Sequence, residues 1–314
     1  MKSHWTSIAW SFAYLLLLLS LVTPLTVITA FLLVVPGTLL YTMLPRKKFL
    51  VHIAGVWIAL LAIGTLMGNY IFGAVLLLQA VYFMIPSIAM GHLYKKHASA
   101  VKIVITGMGV ILLEFLLLLS IGSLFFDFNL ASSIEDIMST AVTPLQNVTD
   151  TTLTGGMVWS PEMTEKFSTY AVRFIPFTLI LCSLLISSIT HVIVRPTLNS
   201  MGHVVSKMPP LRDWRLPRSL IWYYLISTLL IMFAGPSASE GSLGMILDNL
   251  IPLLQVLFII QTASFVFFVA YHKKWYPVIP VLLVLALPFV PGLWIAGLLD
   301  IAFPLREMIT RSRR

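Results

Sequence analysis

Charged residues and cysteine are scarce in this sequence. Asp, Glu, Lys and Arg together make up 10% of the 314 residues, against roughly 25% in an ordinary soluble domain. Hydrophobic residues reach 59%, so the chain lacks the polar side chains that a water-soluble globule needs at its surface, and that class is excluded. The single cysteine, Cys182, excludes a disulfide framework and any multi-cysteine metal site.

The sequence motifs of common enzymes are absent as well. The chain has no GxxxxGK(S/T) phosphate-binding loop, no GxSxG nucleophile motif and no HExxH zinc motif. No pair of carboxylates stands at catalytic spacing, and the histidines are scattered without the spacing of metal ligands. The sequence therefore predicts no catalytic residue, no cofactor and no metal, and it favours a protein that is not an enzyme.

Long uncharged stretches dominate the sequence instead. A helix rises about 1.5 Å per residue and the hydrocarbon core is about 30 Å thick, so one crossing takes roughly 20 residues. Residues 3–45 and 49–94 contain no Asp, Glu, Lys or Arg, and each stretch is long enough for two crossings. Breaks are expected at Pro24, which separates helices 6–22 and 25–44, and at Gly68-Asn69. Single crossings are predicted at 103–126, 174–194, 219–239, 249–271 and 275–299.

The basic residues predict the orientation, because Lys and Arg accumulate in cytoplasmic loops. A cytoplasmic N-terminus leaves only Lys166 and Arg173 of the 20 basic residues outside, provided that the tail 305–314 is also cytoplasmic. That condition requires a tenth helix, which a break at Pro288–Gly292 would supply. The net charge of +8 then reflects orientation and contact with anionic lipid rather than nucleic-acid binding.

These observations predict an all-α fold, a polytopic transmembrane helix bundle of nine to ten spans with short amphipathic interfacial helices. Residues 1–314 form a single integral membrane domain of the cell membrane, with both termini cytoplasmic. The stretch 127–172 is an external loop, 195–218 is a cytoplasmic elbow, and 305–314 is a basic cytoplasmic tail.

Both polar segments carry helix signals. Ser132 and Glu135 form a capping box at the start of an amphipathic helix that should end before Pro144. Pro161 opens the sixth helix, which is expected to run to about Val194. In the elbow, an apolar stripe predicts either a helix lying on the membrane surface or a docking surface. The stripe comprises Leu198, Met201, Val204, Val205 and Met208.

Two charged residues are the candidates for substrate binding. Glu114 lies near the middle of the fifth predicted span, where an ionised carboxylate costs several kcal/mol. It is expected to bind substrate or a cation or to take up a proton; the alternative is a protonated carboxyl that bonds a neighbouring helix. Arg173 lies just inside the outer end of the sixth span, where it can reach water; the alternative is anion binding or pairing with Glu114.

Small residues mark candidate packing or docking faces. Gly64 and Gly68 form a GxxxG pattern, and Ala9 and Ala13 are spaced in the same way on the first helix. Such spacing lets the backbones of two membrane helices approach closely. These four residues are therefore predicted to serve helix packing or docking.

Short motifs near the end of the chain resemble the YybS-like family of multi-pass bacterial membrane proteins. The resembling residues are Trp214-Arg215-Leu216-Pro217, which open a span, and Gly297-Leu298-Leu299-Asp300, followed by Arg306. The resemblance covers almost the whole chain and implies no activity. Through Ala9 and Ala13 the chain is also distantly similar to the substrate-binding subunits of energy-coupling-factor transporters, which bind vitamins, dock on a coupling protein and usually have about six spans.

Two functions follow from these features. The first is a small-molecule binding or transport subunit that depends on a membrane protein partner, because no motif for nucleotide binding supplies energy within the chain. The second is a non-transporting membrane scaffold or regulatory protein that uses 127–172 and 195–218 as contact surfaces.

The predicted topology can be tested by labelling. In a Cys182→Ser background, cysteines placed by Thr152→Cys and Ser206→Cys should react from opposite sides of the membrane, because the two loops differ in basic content. A membrane-impermeant maleimide applied to intact cells measures this. Labelling of both positions from outside would contradict the topology.

Overall fold

The computed structural model describes residues 2–146, 161–238 and 241–311. Within these ranges the chain is helical and contains no strand, so the predicted all-α fold is confirmed. Part of the predicted outer loop, 147–160, and the last residues of the basic tail, 312–314, lie outside the described residues.

The structure describes fourteen α-helices. They are α1 (Lys2–Ser20), α2 (Thr26–Thr29), α3 (Val34–Met43), α4 (Arg46–Met67), α5 (Tyr70–Lys95), α6 (Ala100–Phe125), α7 (Leu130–Gln146), α8 (Pro161–Arg173), α9 (Ile175–Ser200), α10 (Ser219–Ala238), α11 (Ser242–His272), α12 (Val278–Ala286), α13 (Trp294–Ala302) and α14 (Leu305–Arg311). Single turns of 3₁₀-helix occur at Ala30–Leu32, Leu211–Asp213 and Leu287–Phe289.

Among the described residues, six helices are long and apolar enough to cross a membrane. They are Thr26–Met43, which combines α2, the first 3₁₀ turn and α3, together with α4, α5, α6, α9 and α11. The pair Val278–Phe289 and Trp294–Ala302 is bent by 110° and makes a seventh if it counts as one span. The bend agrees with the break predicted at Pro288–Gly292, and Gly292 adopts a φ of +86° there.

The predicted count of nine to ten spans is not confirmed. The apolar part of α1, Trp5–Ser20, and that of α10, Ser219–Phe233, measure only about 24 Å and about 22 Å at the helical rise, less than the hydrocarbon thickness. Composition predicts where an apolar helix occurs, but a membrane span also requires length.

The chain divides into two compact units. The first unit comprises Met1–Asn129 and Leu179–Met208, and the second comprises Leu130–Thr178 and Pro209–Arg314. The first unit therefore contains α1 to α6 and most of α9, and the second contains α7, α8 and α10 to α14.

Small residues and hydroxyl groups hold the helices of the first unit together. A Cβ atom added to Gly64 would lie 2.9 Å from the Cα of Gly73, so α4 and α5 touch backbone to backbone. The Ser187 hydroxyl of α9 donates a hydrogen bond of 2.7 Å to the carbonyl oxygen of Val104 in α6. The Tyr14 hydroxyl of α1 donates one of 3.1 Å to the carbonyl oxygen of Ala80 in α5. These contacts fix the register of helices that lipid alone would not drive together.

In the second unit, one amide joins the break between α8 and α9 to α11. The side-chain nitrogen of Asn249 donates to the carbonyl oxygen of Arg173 at 2.8 Å, and its oxygen accepts from the N–H of Phe177 at 2.8 Å. A helix break leaves backbone groups without intrahelical partners, and Asn249 satisfies one group on each side. The sequence predicts one helix from 161 to about Val194, whereas the structure has two, interrupted at Phe174 just before Pro176.

The polar segments agree only in part with their predicted helices. The amphipathic helix α7 forms, but it begins at Leu130 rather than at the capping box and continues through Pro144 to Gln146. The predicted helix in the elbow is wrong, because α9 ends at Ser200 and residues 203–210 are not helical. Gly202 adopts a φ of +87°, and the N–H of His203 bonds the carbonyl oxygen of Leu198 at 3.0 Å. The glycine therefore ends the helix, although the apolar periodicity of the following residues favours a helical structure.

A buried ion pair organises the carboxyl-terminal part of the second unit. Arg306 of α14 contacts Asp300 of α13 with a shortest distance of 2.7 Å, and their side chains are 4% and 1% exposed. The same guanidinium donates to the carbonyl oxygen of Arg212 at 2.7 Å and to the Ser264 hydroxyl at 3.0 Å. Gln261 donates to Asp300 at 2.6 Å. The pair therefore ties α11, α13, α14 and the segment before α10 together.

We expect Arg306→Met to lower the free energy of unfolding by about 3–5 kcal/mol, because it leaves the Asp300 carboxylate buried without its cation. The double variant Asp300→Asn with Arg306→Met should lose less, because no unpaired charge remains. Thermal unfolding of the purified protein in detergent measures both. Arg215→Met, which removes an exposed arginine, is the control, and equal losses in the single and double variants would contradict the assignment.

Candidate functional site

Glu114 occupies the buried face of α6. The buried residues of this helix recur at helical spacing and include Gly107, Ile111 and Glu114, so the carboxyl group faces protein. Glu114 is 7% exposed, and neither of its carboxylate oxygens has a hydrogen-bond partner among the described residues. The alternative is a carboxyl group that bonds a neighbouring helix, and the described residues contain no such bond.

A second unpaired polar group belongs to the same part of the first unit. Tyr82 of α5 has a buried hydroxyl with no hydrogen-bond partner in the described ranges. Its ring lies 6.0 Å, centroid to centroid, from that of Phe115, the residue next to Glu114. Buried polar atoms are nearly always hydrogen-bonded in folded proteins, and Glu114 and Tyr82 depart from this on two helices that pack against each other. Other buried polar atoms of the unit without a partner among the described residues belong to Trp57, Thr190, His191 and Arg195.

Arg173 lies in the second unit, at the end of α8. Its guanidinium contacts the Asp248 carboxylate at 2.7 Å, and the two side chains are 27% and 32% exposed. It also lines a cavity of about 390 Å³ together with Glu162, Glu165 and Lys166. The sequence offers anion binding or pairing with Glu114 as roles for Arg173. In the structure Arg173 forms an ion pair with Asp248, which belongs to the same unit.

The predicted packing residues have different environments. Gly64 packs α4 against α5. Gly68 follows the end of α4, and a Cβ atom added to it would lie 3.2 Å from the side chain of Phe72. Ala9 is exposed and Ala13 is half-buried. Ala9 shares its side of α1 with the exposed side chains of Trp5 and Phe12. A docking role for Ala9 and Ala13 stays a prediction.

Sequence reasoning missed Asp300 and Arg306 as a buried pair. Both residues entered only through a family motif, because Asp300 follows the predicted span 275–299 and Arg306 belongs to a tail predicted to be basic and exposed. A signal was present in the six-residue spacing across Pro304, since a turn at that proline returns the chain towards α13. The motif residues Arg306, Asp300 and Leu216 all contact Gln261 or each other.

Within the ranges that the structure describes, the fold is all-helical and six helices could cross a bilayer, which defines the class as a multi-pass membrane protein. The chain belongs to the DUF2232 family of predicted membrane proteins, whose family model matches residues 11–301. It is also 26% identical over 308 residues to the uncharacterised protein YybS of Bacillus subtilis strain 168, which covers 93% of this chain and 96% of that protein. No solved structure matches the chain.

These comparisons confirm the resemblance to the YybS-like family. They do not show the predicted similarity to the substrate-binding subunits of energy-coupling-factor transporters. The relative's name assigns no activity, so the functional argument rests on the residues of this chain.

We expect Glu114→Leu to raise the free energy of unfolding by about 1–3 kcal/mol, because it removes two buried acceptors that have no partner. Thermal unfolding in nanodiscs without added ligand measures the change. Leu113→Val, on the exposed side of the same helix, is the control and should have little effect. A destabilised Glu114→Leu protein would mean that the carboxyl contributes to folding.

Proposed function

We propose that the chain is the small-molecule-binding subunit of a membrane transport system, and that Glu114 and Tyr82 contact the ligand. The observation that supports this most is the pair of unpaired polar groups on α5 and α6, a carboxyl group and a phenol hydroxyl. A ligand that offers a cationic or hydrogen-bond-donating group to Glu114 and a polar group to Tyr82 would satisfy both. Amines and polyols have this chemistry.

Transport by this subunit depends on a partner membrane protein in our proposal. The sequence has no nucleotide-binding motif, and Glu114 is the only acidic residue within the long helices of the first unit. Carriers driven by an ion gradient usually hold several coordinating polar groups on broken helices, and this site has few. The exposed face of α1 that carries Ala9 is the proposed contact for the partner.

The proposal includes the orientation derived from the basic residues. Both termini and 195–218 are cytoplasmic, and 127–172 is external. The short apolar helices α1 and α10 add to the six long spans, and the two arms of the bent pair form a hairpin that returns the tail to the cytoplasmic side. Ten helices then enter the bilayer, both termini lie on one side, and the bilayer must thin locally around the short helices.

A non-transporting scaffold or regulatory protein is the second candidate. It is favoured by α7 and α8, which are amphipathic and pack against each other. Because α7 and α8 are folded against each other, they can present an ordered polar surface to a partner, which an unstructured linker between spans cannot do. A scaffold would use this surface and 195–218 to hold a partner.

The test is recovery of the bound molecule. The chain is purified from native membranes in mild detergent, and native mass spectrometry compares wild type with Glu114→Leu and Tyr82→Phe. We expect a small molecule of defined mass in wild type and its loss from both variants, because each variant removes one polar contact. Leu113→Val, which leaves the buried face of α6 unchanged, should retain it.

The partner is tested in the same preparation. Proteoliposomes that contain only this chain should not accumulate the recovered molecule, whereas addition of a co-purifying membrane protein should restore uptake. Gradient-driven uptake by the chain alone would refute partner dependence. An unchanged set of bound molecules in Glu114→Leu would refute the site and leave the scaffold as the better proposal.

A further inference from the structure

A cavity of about 500 Å³ opens at the end of the first unit that carries most of its basic residues. Its lining includes Ser7 of α1, Lys48 and His52 of α4, and Ser200 and His203 at and beyond the end of α9. Small-molecule pockets usually measure about 300–1,000 Å³ and contain a few polar groups on an apolar wall. Met43, Leu44, Pro45 and Met201 supply the apolar wall.

The charge around this cavity has one sign. Acidic residues are nearly absent from the first unit, which contains only Glu114, in the middle of α6, and Asp127, beyond its end. Basic residues are numerous at the helix ends that lie away from Asp127. They include Arg46, Lys47, Lys48, Lys95, Lys96, Lys102 and Arg195. No carboxylate of this unit is placed to neutralise Lys48, so the field favours an anion.

The start of α4 adds backbone donors to the side chains. The first intrahelical hydrogen bond runs from the N–H of Phe49 to the carbonyl oxygen of Pro45, so the preceding N–H groups, up to that of Lys48, have no partner within the helix. Pro45 provides no side-chain cap. Uncapped amides next to a lysine, at the positive end of a helix dipole, are a recurrent environment for phosphate.

A side-chain contact between α1 and α4 holds one of the cavity's histidines in place. The Ser11 hydroxyl donates to the carbonyl oxygen of Ser7 at 3.0 Å and lies 2.9 Å from Nδ1 of His52. Ser11 thereby fixes the orientation of the His52 ring beside the cavity.

We propose that this cavity is a binding site for a phosphate group, carried either by a soluble phosphorylated molecule or by an anionic lipid headgroup. Lys48 supplies the charge, and the first turn of α4, His52 and His203 supply further hydrogen bonds. The site shares no residue with Glu114 and Tyr82, so it stands whether or not those residues bind a small molecule.

The test follows the protection of a thiol in the cavity. In the full chain with Cys182→Ser, Met201→Cys places a thiol at the cavity wall, and the rate of maleimide modification reports occupancy. Pyrophosphate is the soluble probe, added to nanodiscs of phosphatidylcholine at constant ionic strength. Nanodiscs containing phosphatidylglycerol, without pyrophosphate, form the lipid arm.

We expect maleimide modification of the thiol at position 201 to slow by about tenfold with either pyrophosphate or phosphatidylglycerol. The reason is that a ligand at about ten times its Kd leaves about a tenth of the sites empty. Protection by pyrophosphate identifies a soluble ligand, and protection by phosphatidylglycerol alone identifies the lipid. Lys48→Gln should abolish the effect in either case. The matched control, Lys102→Gln, removes an exposed positive charge from α6 of the same unit and should retain it.

Nonspecific effects and misfolding are separated by two further measurements. A thiol introduced by Ser206→Cys, outside the cavity lining, should react at the same rate in both arms. If Lys48→Gln fails to fold, His203→Ala replaces it, since His203 is exposed and lies beyond α9. Absence of protection in both arms, or equal protection in Lys48→Gln and Lys102→Gln, would overturn the proposal.

Discussion

A bilayer offers no hydrogen-bond partners, so every polar group at its depth must be satisfied within the protein. The second unit shows how this chain satisfies polar groups that are buried away from water. The break between α8 and α9 exposes backbone groups on both sides, and the amide of Asn249 bonds one of each. The carboxylate of Asp300 and the guanidinium of Arg306 are both buried, and each has several partners. Because these partners come from separate segments, satisfying the polar groups also holds the segments together.

The same requirement explains how the helices of the first unit recognise each other. Lipid tails are as apolar as leucine, so burial of apolar surface gives little drive for one helix to join another. Close backbone contact and hydroxyl donors supply it instead. Gly64 meets Gly73, and Ser187 reaches the backbone of Val104 across a site where a Cβ on Gly107 would lie 2.5 Å from that hydroxyl oxygen. Glycine is needed at these positions for space rather than for backbone conformation.

Much of the helical outline could be predicted from the sequence, because uncharged stretches and proline or glycine breaks report directly on transfer to hydrocarbon. The breaks at Gly68-Asn69 and at Pro288–Gly292 occur where the sequence places them. The elbow helix was wrong because Gly202 ends α9 through its left-handed backbone, a local effect that outweighs the apolar stripe. Within the candidate site, Glu114 was predictable as an isolated acid. Tyr82, Asp300 and the cavity beside Lys48 were not, because each depends on contacts between segments far apart in the chain.

Arg306 and Glu114 differ in how many hydrogen-bond partners the chain provides for a buried ionisable side chain. Both are buried and ionisable, and the chain surrounds Arg306 with three hydrogen-bond partners, Asp300, Ser264 and the carbonyl oxygen of Arg212. Glu114 has no such partner among the described residues, and neither has the hydroxyl of Tyr82 on the neighbouring helix. Burying acceptors without partners lowers stability by about 1–3 kcal/mol, and natural sequences depart from polar satisfaction chiefly at functional sites. A structural role would have been served better by leucine at position 114, which packs without that cost. On this ground we propose that the partner of the Glu114 carboxyl comes from outside the chain.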